Sequence, residues 1–362
     1  MNFKRLFSIV LAAAMVFCLA ACGGGSSNNA GSNAGTSAPA TSGNAAAPAA
    51  STDEVKTIKF AHWFAEDHPQ HKSMLYLKDI LEERSGGTLK LEIYPNSQLG
   101  SEDVYDQSVS QGTVEMGCAG TNIQTFLPKI GVTEAPFLFN DWADAEATLR
   151  GDAGKFVVDG LIEAGNMRCV AITVNGFREM SSNKPMYSME DLKSQKFRTP
   201  NIPHFVQMME CLGATSVPMA MSEIFNALET KVVDGQENPY PTIYTSSFYE
   251  VQKYVLESRH MFSPNFWVIN EAFYQSMSEN QRKVFDECIA EAAEYNWEIS
   301  KDYDNEAKQA IADSGITEII VPDAEFKQQM QDAMGPVYDW FYANKEGSEE
   351  FVKMVREYQA SH

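Results

Sequence analysis

The sequence predicts an α/β protein whose body folds as two α/β layers joined by one long helix. Three observations point there. Strand-like and helix-like segments alternate between residues 57 and 118, and again between 168 and 217. The capping box Ser278-Glu279-Asn280-Gln281 opens a stretch that continues past Trp297 to about Ala312 with no glycine or proline. The body, from about Val55 to His362, is long enough for two separate cores.

In the first layer, Thr57-Ile58-Lys59-Phe60 alternates like a half-buried strand. Asp67 is placed to cap a helix that runs to Ser85, with Pro69 in its first turn and Gly86-Gly87 stopping it. Met74, Leu75, Leu77, Ile80 and Leu81 form its expected buried stripe. Leu89 to Tyr94 alternates again and reads as a strand. Ser101 is placed to cap a helix that begins with Glu102 and Asp103 and ends at Gly112. Val114 to Cys118 is short and apolar, as a buried strand should be.

The second layer begins with a strand over 168–174. A short helix follows Ser188, then a strand over 196–199, a helix over 202–212 and a strand over 215–217. More than 30 helical residues from Ser278 onward extend about 50 Å at 1.5 Å per residue, too long for one small domain. That helix is expected to span both layers. The segments 323–334 and 348–359 read as amphipathic helices packed on the outside.

The N-terminus sets the compartment. Lys4 and Arg5 precede an apolar run from Leu6 to Ala21, a secretory signal too short for a membrane span. Leu19-Ala20-Ala21-Cys22 has the form of a bacterial lipobox, so residues 1–21 read as a signal peptide and Cys22 as the acylated N-terminus of a membrane-anchored lipoprotein. Residues 22–54, rich in Gly, Ser, Asn and Ala, read as a disordered tether of roughly 30 Å end-to-end distance.

The chain carries 28 Lys and Arg against 49 Asp and Glu, a net charge of -21 that becomes -23 without the signal. Such a balance excludes nucleic acid and anionic lipid as electrostatic partners. An anionic ligand then needs local cations that overcome the overall field. Cys118, Cys169, Cys211 and Cys288 remain in the body with no CxxC; they could form two disulfides, and buried thiols are the preferred reading. There is no G-x-S-x-G, no H-E-x-x-H and no marked catalytic carboxylate pair, so a surface hydrolase finds no support, and no cofactor is implied.

Five motifs occur in order: Tyr94-Pro95-Asn96-Ser97-Gln98-Leu99-Gly100; Val174-Asn175-Gly176-Phe177-Arg178-Glu179-Met180-Ser181-Ser182; Asp191-Leu192-Lys193 leading to Lys196-Phe197-Arg198-Thr199-Pro200; Gly213 to Met219 with Ser222 to Leu228; and Lys231-Val232-Val233-Asp234-Gly235-Gln236-Glu237-Asn238-Pro239. Together they cover most of the body and resemble the substrate-binding proteins of tripartite ATP-independent periplasmic (TRAP) transporters, in a lipoprotein-anchored form. The resemblance implies a two-lobed periplasmic-binding-protein-like (Venus-flytrap) fold with a long helix spanning both lobes. Lobe I is expected over 55–175 with 264–303, and lobe II over 176–263 with 304–362. It also implies a monomeric receptor that hands a small carboxylate ligand to ion-driven TRAP permease subunits in the membrane.

By the same resemblance, Arg198 makes a two-pronged bond to the ligand carboxylate. Guanidinium suits that role because it is planar, always charged and matched to a carboxylate. Arg178 supports the same group from the hinge side, unless it pairs with Glu179. Asn238 is the amide donor, unless it merely forms a turn before Pro239, and Asn201 is a further contact. Met221 and Trp267 match pocket positions, with core as the alternative. Trp63, Glu66 and His68 follow the first strand and suit a hydroxylated acid. Asn122 stands where sialate-specific relatives carry charges, which argues against sialic acid. The expected cargo is a sugar acid such as a uronate, or a C4-dicarboxylate. Two other readings stay open: a sensor that reports the acid to a membrane kinase, and a metal receptor built on His62, His68 and His71.

Overall fold

Nine strands form one mixed sheet in the computed structural model, which describes residues 53–362. The signal peptide, Cys22 and nearly all of the tether fall on residues 1–52, outside that range. The strands are β1 (Lys56–Ala61), β2 (Leu89–Tyr94), β3 (Met116–Ala119), β4 (Met167–Ser182), β5 (Lys196–Thr199), β6 (Thr215–Pro218), β7 (Gly235–Pro239), β8 (Tyr254–Asn270) and β9 (Glu318–Ile320). Their order is β2-β1-β3-β8-β4-β7-β5-β6, with β9 beside β8.

The expected two layers are thus two halves of one sheet. In each half the short strands run parallel, β2-β1-β3 in one and β7-β5-β6 in the other. The long strands β4 and β8 pair antiparallel along most of their length and pass through both halves. Register slips at Val174/Gly176, and Gly176 takes φ +125° there. A Cβ at Gly176 would approach Trp142 at 3.3 Å and strain the backbone, so the bulge needs glycine.

The helix Glu279–Asp313 ties the halves. Ser278 and Gln281 close the expected capping box, each side chain accepting the other's backbone N–H at 3.1 Å. Phe285, Cys288, Ile289 and Ala292 bury in a core with β1, β2 and Trp267, while Ala307 and Ile311 bury in a core with Ile224, Tyr240 and Val255. Between them, Trp297 joins the large central core. One helix therefore has stakes in three cores.

Local corrections have simple causes. The first helix is Pro69–Arg84, capped by the His68 Nδ1 accepting from Gln70 N rather than by Asp67. Met74, Leu77, Ile80 and Leu81 face the core, but Leu75 is 44% exposed because it lies a quarter-turn off the stripe. Ser101 occupies an N-cap without capping; its hydroxyl donates to Asp103 Oδ1 at 2.6 Å. The C-terminal helix Ser348–Ser361, expected with the 176–263 half, packs on the helices Trp142–Arg150 and Asp152–Val158. Its neighbour Gly335–Asn344 packs on Pro203–Cys211, so this tail touches both halves. The four body cysteines are free thiols.

Candidate functional site

A cleft of about 460 Å³ opens between the two halves of the sheet. One wall comes from β4 to β7 and the loops after β5 and β6. The other comes from the loops after β1, β2 and β3 and the start of the helix Glu102–Gln111.

Arg198 stands on β5 in register with Val217 of β6 and Gln236 of β7. The turn after β6 holds it. Its Nε and Nη2 donate to Met219 O at 2.9 and 2.7 Å, and Met219 N in turn donates to Thr199 O. Among the described residues no carboxylate lies in ion-pairing range of this guanidinium, although it is 5% exposed. Burial pushes its pKa down to about 10, so it remains a cation at neutral pH. Glu237, Glu102 and Glu223 favour its charge from a distance, and a protonated guanidinium with no carboxylate in contact can accept an anion from the cleft.

Arg178 is arranged differently. It bonds both carboxylate oxygens of Glu237, the Glu237 carbonyl at 2.6 Å and Asn238 Oδ1 at 3.1 Å, and it sits 5.3 Å from the Phe205 ring centroid. Burial opposes ionisation of Glu237, but Arg178 and His260 outweigh it and hold the carboxyl below its ordinary value. Glu179 does not pair with Arg178; it is buried and accepts from Arg259 N at 2.8 Å. Asn238 has both ends engaged, its Nδ2 donating to Gln236 Oε1 at 2.6 Å.

Facing them, Glu102 Oε1 accepts the N–H groups of Gly120 at 2.9 Å and Asn122 at 2.8 Å. Burial raises its carboxyl to about 6, against the pull of those two amides and Arg198. Behind this wall Thr121 donates to Glu134 Oε1 at 2.9 Å. Burial pushes the Glu134 carboxyl up to about 8, which keeps it mostly neutral at pH 7 and leaves Glu237 as the counter-charge of Arg178.

Of the residues predicted for the site, Arg178, Arg198, Asn201, Asn238, Trp63, Asn122 and Met221 line the cleft. Three do not. Glu66 is exposed outside the wall; His68 is buried, capping its helix and bonding Asn175 Oδ1 at 3.1 Å. Trp267 lies in the core, edge-on to Phe60 and donating to Gln70 Oε1 at 3.2 Å. His62 Nε2 and His71 Nδ1 share a hydrogen bond at 3.0 Å, and no three metal-ligating side chains converge among the described residues. Ser97, Glu102, Asp103, Thr121 and Met219 line the cleft without having been singled out. Ser97 and Met219 lie within two of the five motifs, and the sequence marks Glu102 and Asp103 only as a favourable helix start.

The model for bacterial extracellular solute-binding protein, family 7 (DctP), matches residues 60–345. The chain belongs to this family. A solved TRAP periplasmic solute-binding protein from Haemophilus influenzae, with bound L-gulonate, is 33% identical to this family 7 receptor. It covers 83% of this chain and 99% of its own, with a TM-score of 0.80. The sugar acid-binding protein of Advenella mimigardefordensis, in complex with galactonate, is 26% identical over 84% and 99% of the two chains, with a TM-score of 0.81. The C4-dicarboxylate-binding periplasmic protein of Rhodobacter capsulatus is 31% identical over 78% of this chain and 85% of its own. The fold of this family 7 receptor is thus the expected two-lobed one, and its family and structural neighbours are solute receptors. No helix among the described residues is long and apolar enough to cross a membrane.

Proposed function

We propose that this family 7 protein is a lipid-anchored extracytoplasmic receptor that closes on a small organic acid and passes it to an ion-driven TRAP permease. The observation that carries the reading is the contrast between the two arginines. Arg178 is matched by Glu237, whereas Arg198 presents its charge to the cleft with only a carbonyl on its other edge. A ligand carboxylate supplies the missing counter-charge, and Asn201 and Asn238 flank it.

Relatives that bind L-gulonate, galactonate or a C4-dicarboxylate support a sugar acid or a C4-dicarboxylate as cargo. The chain would act as a monomer, perform no covalent chemistry and use no cofactor, with Cys22 carrying the anchor. Lobe I would comprise 55–175 with 264–303, and lobe II 176–263 with 304–362, with the Ser348–Ser361 helix lying across onto lobe I. A thermal-shift screen of small acids tests this. Ligand at 1,000-fold excess over Kd adds about 4 kcal/mol, so a large shift is expected with the cognate acid and none with its amide. No shift with any acid would sink the reading.

A further inference from the structure

The two walls of the cleft differ in chemistry. The wall with Arg198 offers a cation, amides and the apolar Met219 and Met221; the facing wall carries the acids Glu102 and Asp103 beside Trp63, Ser97 and Asn122. Glu102 is the deciding group. Two backbone N–H groups fix its Oε1, while its Oε2 has no protein hydrogen-bond partner among the described residues. Such a carboxylate is a preorganised acceptor for a ligand hydroxyl and repels a ligand anion. Asp103, bonded by Ser101, adds a second negative charge on the same wall.

A dicarboxylate would therefore place one carboxylate on Arg198 and bring the other against an acidic wall. The remaining arginine of the cleft cannot receive it, because Arg178 is matched by Glu237. A polyhydroxy monocarboxylate meets no such conflict, since its hydroxyls donate where the second carboxylate cannot. We infer that Glu102 makes this receptor selective for hydroxylated monocarboxylates, of the aldonate or uronate class, over dicarboxylates. The inference rests on the receptor reading above and narrows its cargo. At pH 7.5 Glu102 is charged, since burial raises it only to about 6.

Calorimetric titration of the full chain at pH 7.5 tests it with L-gulonate against D-glucarate, D-galactonate against galactarate, and succinate. Each sugar pair shares its polyol chain and differs in a terminal hydroxymethyl or carboxylate. An aldonate should bind roughly 100-fold tighter than its diacid. Glu102→Gln keeps an oxygen for the two amides and turns the free acceptor into a donor. It should weaken aldonate binding by roughly tenfold or more and bring the pair to within about tenfold. Equal affinity of the wild type for a pair, or succinate as the tightest ligand, overturns the selectivity whether or not the variant folds. So does an unchanged ratio in folded Glu102→Gln. If diacids and aldonates bind equally and Arg198→Ala abolishes both, the carboxylate receptor stands and only the Glu102 selectivity falls. Binding of no acid at all removes the receptor reading itself.

Discussion

Arg178 and Arg198 line one wall of the cleft, yet Arg178 is paired with a carboxylate and Arg198 is not. The Arg178–Glu237 pair is 4% and 0% exposed, so removing one member strands the other in a poorly solvated place. Glu237→Gln should cost on the order of 3 kcal/mol in urea unfolding without ligand. Unchanged unfolding would mean that Arg178 is held by its other bonds. Glu134 gives a pH signature. Its carboxyl lies at about 8 when folded, against an ordinary 4.5. Between those values the unfolded chain releases its proton and the folded chain keeps it, so Glu134 lowers stability progressively as pH rises through that window. Relative to wild type, Glu134→Gln should gain on the order of 4 kcal/mol at pH 8.5 and almost nothing at pH 4. Thermal melts across that range check it, and a pH-independent difference would refute the buried neutral acid.

The elements that bring these side chains together were legible to different degrees. β1 and β2 show in the sequence because one face alternates, and the helix from Glu279 shows because its cap and length are explicit. β8 was missed although it is 17 residues long. Glu257, Arg259, His260 and Pro264 interrupt its apolar pattern, and burial along most of its length removes the alternation that marks an exposed strand. Without β8 the single sheet could not be foreseen, since β8 and β4 are what join its halves. At the site, motif order pointed to Arg198 and Asn238. Glu102 was hidden, because an acid in a first helical turn is expected for the helix dipole alone. His68 and Trp267 lie near the right strands, but which face they present follows from tertiary packing. Ser278→Ala should cost about 1 kcal/mol by removing the cap of the long helix. Denaturant unfolding reads that loss, and no change would show that the core residues alone set its start.

At the scale of the whole molecule, a net charge of -21 opposes binding an anion, and the cleft answers with one buried cation that has no carboxylate of its own. The long helix and the paired strands β4 and β8 connect the halves whose facing walls form that cleft. Closing them on a carboxylate would exclude water and strengthen its bond to Arg198. Family 7 membership gives this geometry a solute-binding setting, and the proposed clamp gives Arg198 its part in it. The decisive measurement is calorimetric titration of Arg198→Ala with the acid found by the thermal-shift screen, beside the melting temperature of the free variant. Affinity should fall by roughly 100-fold or more, from a lost contact of about 3 kcal/mol, while the free protein melts close to wild type. Wild-type affinity in a folded Arg198→Ala protein would contradict the carboxylate clamp.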